Sequence, residues 1–402
     1  MYPFLSLRLL RLLPFFLLLL ACPPPSHALI AKKYSPLCGA EQMDRYLPML
    51  QGKRVALIIN QTSIVEKTLL LDTLLSRKVK VVKVFVPEHG FRGTADAGAH
   101  IANEKDKATG LPVISLYGNN KKPTKEQLAD VDILVYDLQD VGVRFYTYIS
   151  TLQYAMEACA ANNKILLVLD RPNPNGHYVD GPVLDTAQRS FVGMQPIPVV
   201  YGMTAGEYAQ MLRGENWFPG ATRLAIRVIS CQGYDRRRRY ELPVSPSPNL
   251  RTMAAIYLYP SLCLFEGTVV SLGRGTDMPF QQWGHPDFAG FSDYYFTPED
   301  RPGAHKPVLE GKKCYGQLVA ESAEDAYQVV DNRLQLSYLL KAYQLSKDKS
   351  KFFIPFFEKL SGTKELREQI IAGKTEEEIR QSWQPKLKRF KAIRKKYLLY
   401  AE

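Results

Sequence analysis

A glutamate held between a proline and a histidine-glycine pair, Pro87-Glu88-His89-Gly90, is the arrangement in this chain best suited to chemistry. Proline fixes the backbone on one side and glycine lets it turn away on the other, so the carboxyl projects beside an imidazole at the end of an apolar run. Partial burial raises the pKa of such a group and fits it for general-acid work. Cleavage of a glycosidic bond usually takes a second carboxylate. Asp137 and Asp140, in Asp137-Leu138-Gln139-Asp140, are candidates for it. Each also reads as a residue that holds Arg144 or a tyrosine hydroxyl in place, just as Glu88 reads as an ion-pair partner of Arg92 and Asp170 as a turn cap.

Arg144, Arg171 and Arg274 could each grip a carboxylate through two parallel hydrogen bonds, a geometry that lysine does not offer. Each reads equally as half of an internal ion pair. Glu88, His89, His100 and Asp137 could instead gather a metal ion, although no HExxH or paired-histidine spacing occurs. No GxSxG elbow supports a serine hydrolase.

These residues need a frame that brings distant loops together. From Arg54 onward, β-branched apolar runs alternate with helical stretches: RVALIIN, IVEKTLLLDTLLSRK, VKVFV, VDILVYD, ISTLQYAMEACAANN and KILLVLD. Alternation of this kind predicts an α/β fold with a Rossmann-like parallel sheet in an N-terminal domain spanning residues 38–245. Asn60-Gln61-Thr62 stands where a dinucleotide fold would carry GxGxxG, so no cofactor is expected. Thr204 with Glu207 and Thr375 with Glu378 read as capping boxes that open helices, and residues 222–230 read as a further strand. The segment 242–249, with three prolines, marks a crossover to a smaller α+β C-terminal domain over residues 246–402, with helices expected near 335–345 and 375–398. In open parallel sheets ligands sit beyond the carboxyl ends of the strands. The loops carrying Asn60, Glu88, Gln139 to Tyr146, and Asp170-Arg171-Pro172-Asn173 should therefore face one cleft, polar enough for an acidic sugar.

The blocks VPEHGFRGTADAGAHI, SLYG, YDLQDVGVRFYTYIST, LDRPNPNGHYVDGPVLD, SFVGMQPIPVVYGMTAGEYA, SPSPNLRT and YPSLCLFEGTVVSLGRGTDMPFQQWGHP run in order from Val86 to Pro286. Together they resemble the NamZ exo-β-N-acetylmuramidases, formerly the DUF1343 family. The resemblance implies a Rossmann-like domain joined to a smaller α+β domain with the cleft between them. It also implies action on terminal N-acetylmuramic acid of peptidoglycan fragments, and it places the family's proposed catalytic glutamate on Glu88. Arg92, Asp137, Gln139, Arg144, Tyr146, Asp170, Arg171, Asn173, Asn249, Glu266, Arg274 and Thr276 fall in matching motifs. Glu266, in FEGT, becomes a further candidate carboxylate from the other domain, or an ion-pair partner of Arg274. Leu272 stands where the family often has an acidic or other residue.

Arg8 and Arg11 precede an apolar run from Leu12 to Ala21, which predicts a secretion signal over residues 1–28 and export to the periplasm. Two cuts compete: a lipobox ending at Cys22, which would carry a lipid anchor, and Ser26-His27-Ala28, which suits ordinary signal peptidase. The other five cysteines have no metal-site spacing and read as small apolar groups, with one opportunistic bridge allowed by export. A net charge of +12 is concentrated at Arg236 to Arg239 and from Lys386 to Lys396. It reads as a solvated face or as attraction to an acidic envelope, and export argues against nucleic acid. The rivals to a glycosidase are a metal-dependent envelope hydrolase and a lipoprotein that only binds peptidoglycan fragments.

Overall fold

The computed structural model of the protein describes Met1 and residues 35–88, 90–91 and 104–402. Residues 2–28 with Cys22, and also His89, Arg92 and His100, lie outside the described residues.

After α1 (Leu47–Leu50), the first apolar run forms β1 (Val55–Ile59), buried at every position. The stretch from Ile64, whose spacing suggests one helix, divides. A small hairpin of β2 (Ile64–Val65) and β3 (Thr68–Leu69) comes first, and α2 (Leu70–Ser76) follows it. Glu66 takes a positive φ of 56° in the hairpin turn, which helical backbone does not allow. Then come β4 (Val81–Val86), β5 (Glu104–Lys105), β6 (Pro112–Ser115), β7 (Ile133–Asp137), α3 (Tyr148–Ala161), β8 (Ile165–Leu169), α4 (Ala205–Gly214) and β9 (Ala225–Ile229). Thr204 caps α4 through the expected box with Glu207.

The strands make one sheet in the order β5-β6-β4-β1-β7-β8-β9, with only β5 antiparallel to its neighbour. Numbered along the chain, the six parallel strands lie 3-2-1-4-5-6, the Rossmann order, so the strand order reverses between β1 and β7. Nucleotides bind in the crevice at such a reversal, but here protein fills it. The hydroxyls of Tyr146 and Tyr148 both donate to the carbonyl of Pro246, at 2.9 and 3.3 Å. The Gln61 amide donates to Ser245 O at 3.0 Å. The proline-rich crossover thus plugs the crevice.

The rest of the chain forms the second layer: α5 (Met253–Leu262), an antiparallel sheet of β10 (Gln282–His285), β11 (Tyr295–Phe296) and β12 (Cys314–Leu318) in the order β10-β12-β11, and five helices. These are α6 (Ala323–Val330), α7 (Ser337–Leu345), α8 (Phe357–Ser361), α9 (Glu365–Ile371) and α10 (Glu376–Lys395), the last opened by the Thr375 and Glu378 box. Ile379, Trp383, Leu387 and Phe390 line the buried stripe of α10, at the 3.6-residue period of an amphipathic helix. They join a single apolar core that also contains Ala56, Leu134 and Leu166 of the large sheet. The two layers are therefore one packed body, cross-linked by the Arg380 to Asp180 ion pair at 2.5 Å.

Candidate active site

A cavity of about 690 Å³ opens where the loops after β4, β6 and β7 meet the second layer. Glu88, Tyr117, Lys121, Tyr146, Thr147 and Phe191 line it from the first layer, and Tyr259, Glu266, Arg274, the 303–308 loop and Phe356 line it from the second.

Glu88 directly follows β4 and Pro87. Thr147, the N-cap of α3, donates its hydroxyl to Glu88 Oε2 at 2.9 Å, which sets the carboxyl against the positive end of a fourteen-residue helix. The Tyr117 hydroxyl also bonds to Glu88. Burial, with the charge of Glu88 added, pushes the Tyr117 phenol upward, so it remains a protonated donor. Glu88 is thus fixed from two sides and half exposed to the cavity.

Glu266 stands on a 3-10 turn that continues α5. Arg274 reaches its Oε1 through Nε at 2.7 Å and a terminal nitrogen at 2.6 Å. The guanidinium also rests 5.0 Å from the Phe280 ring centre. Gly273 and Gly275 flank this arginine at φ 82° and 79°, and a Cβ on Gly275 would meet Glu299 O at 2.4 Å. The Gly-Arg-Gly turn therefore requires its glycines in order to present Arg274. Thr276 ties the same turn by donating to Gly273 O and accepting from Gln282, both at 2.6 Å. Asn249 donates to Gly303 O at 2.7 Å and so holds the 303–308 wall.

Of the residues expected to meet in one cleft, Glu88, Tyr146, Glu266 and Arg274 line the cavity. The other candidates among the described residues are buried scaffold, because the loops turn their polar groups on one another. Asp137 receives two bonds from Arg171, at 2.5 and 2.9 Å, and burial pushes its carboxyl up while Arg171 opposes the rise. Asp140 accepts from Tyr201 and from Gly142 N, and burial pushes it up to about 7. Asp170 accepts from Thr204 and Gly206 N at the start of α4 and from the Tyr400 hydroxyl beyond α10, and burial pushes it up to about 6. Asn60 donates to Tyr148, Gln139 to Pro172 O, and Asn173 to Met203 O. Arg144 donates to the carbonyls of Pro182, Ile197 and Leu360, the last on α8, and burial pushes its guanidinium down to about 9. Two of the three arginines expected to hold a carboxylate ligand are thus spent on the fold, and the third is bound to Glu266.

Sequence reasoning passed over β6 and its loop, which supply Tyr117 and Lys121. Four residues opening on a proline give no alternation to read, and the SLYG block was their one signal. Phe191, stacked on Tyr154 with ring centres 6.0 Å apart, was missed for the same lack of pattern. Among the described residues no group of three or more His, Cys, Asp and Glu side chains could hold a metal ion.

Two family descriptions match the chain in succession: "Exo-beta-N-acetylmuramidase NamZ, N-terminal" over residues 55–254, and the corresponding C-terminal description over residues 257–400. The Peptidoglycan beta-N-acetylmuramidase NamZ of Bacillus subtilis (strain 168) is 37% identical over 399 residues, covering 94% of each chain. Two crystal structures of DUF1343 family proteins from Bacteroides fragilis NCTC 9343 share the fold. One has a TM-score of 0.84 at 47% identity, covering 92% of this chain and 100% of that one. The other has a TM-score of 0.74 at 32% identity, covering 91% and 99%.

Proposed function

Because the chain belongs to the NamZ exo-β-N-acetylmuramidase family, we infer that Glu88 is the proton donor with which it releases terminal N-acetylmuramic acid from peptidoglycan fragments. The protein is a glycosidase of the exo-acting kind. The observation that carries the assignment of Glu88 is the pairing of two carboxylates, one from each layer, in the wall of a single cavity.

Glu88 gives its proton to the glycosidic oxygen as the bond from that oxygen to C1 of the muramic acid breaks. Thr147 and Tyr117 keep the carboxyl aimed into the cavity. Positive charge that develops at C1 is met by the Glu266 carboxylate or by the substrate's own 2-acetamido oxygen; water then adds to C1 as the new hydroxyl and gives its other proton to a carboxylate of the site. Asp137 and Asp140 are committed to Arg171 and Tyr201, which leaves Glu266 as the second carboxylate among the described candidates. Tyr146 and Tyr259 also line the cavity wall.

The test is incubation with the two isomeric disaccharides. Free N-acetylmuramic acid should appear from MurNAc-GlcNAc and not from GlcNAc-MurNAc, and a chelator should leave the rate untouched. Absence of release, or release abolished by the chelator, would overturn this reading. Export belongs to it as well: the arginines and apolar run of residues 8–21 support a periplasmic site of action, with a lipid on Cys22 as one outcome. Labelled palmitate incorporated by the wild type and not by Cys22→Ala would establish the anchor.

A further inference from the structure

We propose that Lys121 binds the lactyl carboxylate of N-acetylmuramic acid and is the residue by which the site distinguishes this sugar from N-acetylglucosamine. The proposal rests on the reading of the cavity as a muramic acid site.

The lactyl ether on C3 is the group that separates the two sugars, and it carries the only negative charge on the ring. A site selective for it therefore needs a cation that is available. Among the described residues the cavity holds few. Arg274 is bound to Glu266 through two nitrogens, and His305 pairs with Asp300 at 2.7 Å. Lys306 is exposed on its loop, beside Asp300.

Lys121 differs from all of these. It is half-buried and lines the cavity, and its ammonium sits 5.1 Å from the centre of the Phe191 ring. Among the described residues it has no carboxylate partner. Its neighbour Lys122 makes the contrast plain, since that ammonium is neutralised by Glu157 at 3.1 Å and lies over Tyr154. An aromatic face holds a cation in place and partly strips it of water without cancelling its charge, which strengthens its attraction for an arriving anion.

The placement also suits the sugar. Tyr117 bonds to Glu88 and lies 6.1 Å, centre to centre, from Phe191, which in turn carries Lys121. Along this wall two rings tilted by 58° link the proton donor to the cation. The linkage at C1 and the ether at C3 of the pyranose are separated by one ring carbon, and the lactyl arm carries its carboxylate further outward from C3. A sugar lying on the wall with its linkage at Glu88 directs its lactyl arm toward Lys121.

The test compares the wild type, Lys121→Met, Lys121→Arg and the control Lys122→Met on MurNAc-GlcNAc and on the same disaccharide with its lactyl carboxylate converted to the carboxamide. A charged hydrogen bond in a partly dry site is worth roughly ten- to hundredfold in binding. The wild type and Lys122→Met should favour the carboxylate by about that factor, expressed in KM, because the arm is remote from the reacting bond. Lys121→Met should treat the two substrates alike, and Lys121→Arg should restore part of the preference. A Lys121→Met enzyme that keeps the wild-type preference, or a wild type that turns over both substrates equally, would overturn the proposal. A wild type that releases no muramic acid from either would overturn the functional reading, and this assignment with it.

Discussion

Replacing Glu88 by glutamine removes the proton while keeping the shape, and the structure separates what that does to catalysis from what it does to folding. The amide oxygen of glutamine can still accept from Thr147, whose hydroxyl lies 2.9 Å from Glu88 Oε2. The interaction of a charge with the start of α3 that the substitution removes is worth about 0.3–1 kcal/mol. Melting should shift by no more than about 4 °C. Catalysis loses its general acid, worth about 10²- to 10⁴-fold, or roughly 3–5 kcal/mol of barrier. The loss should depend on the leaving group. The GlcNAc alkoxide cannot depart without a proton, whereas p-nitrophenolate can, so Glu88→Gln should be crippled on MurNAc-GlcNAc and far less impaired on p-nitrophenyl N-acetylmuramic acid. Rates on both substrates, with melting curves for both proteins, make the assay. Natural-substrate activity within a few fold of wild type would refute the assignment. An equal loss on both substrates would refute proton donation and point to a role for Glu88 at C1.

Asp137→Asn leaves Arg171 buried beside a neutral partner, and breaking a buried pair in this way costs about 3–5 kcal/mol, so urea midpoints should fall sharply. The double variant with Arg171→Met should recover part of that loss. Full stability with loss of activity alone would instead place the pair in catalysis. Arg144→Met strands the carbonyls of Pro182 and Leu360, at about 1–3 kcal/mol each, while Ile197 O keeps its bond from Leu184 N, and should destabilise the protein more than it alters KM. Asp140 predicts a pH effect. Its folded carboxyl titrates at about 7 against an ordinary 3.8, so between those values the folded state holds the extra proton and wild-type stability falls as pH rises. Asp140→Asn lacks this ionisation. Its stability relative to wild type should improve from about pH 4 to about pH 8 by up to roughly 4 kcal/mol, and a constant difference across that range would refute the assignment.

What was legible in the sequence was whatever local chemistry decides. Continuous apolar runs such as VALII and ILVYD became central strands, and the boxes at Thr204 and Thr375 opened helices where their hydrogen bonds demanded it. Glu88 was legible because a proline and a glycine around one acid force it outward. Asp137 and Asp170 look no different in sequence, yet they are buried, because their orientation is set by Arg171 and by the N-terminus of α4, which come from elsewhere in the chain. The direction in which a polar loop faces is a tertiary property. The β6 loop was invisible for a related reason, since a four-residue strand starting at Pro112 has no periodicity to display.

The tyrosine pair seated on Pro246 has a consequence for inhibitor chemistry. Compounds built on adenosine or nicotinamide scaffolds, the usual starting points for a sheet of this strand order, would meet the proline-rich crossover where the dinucleotide should lie. Charged iminosugars bearing a propionate ether would suit the acid-lined chamber instead. A screen chosen by architecture would fail where one chosen by the chamber's own lining should succeed.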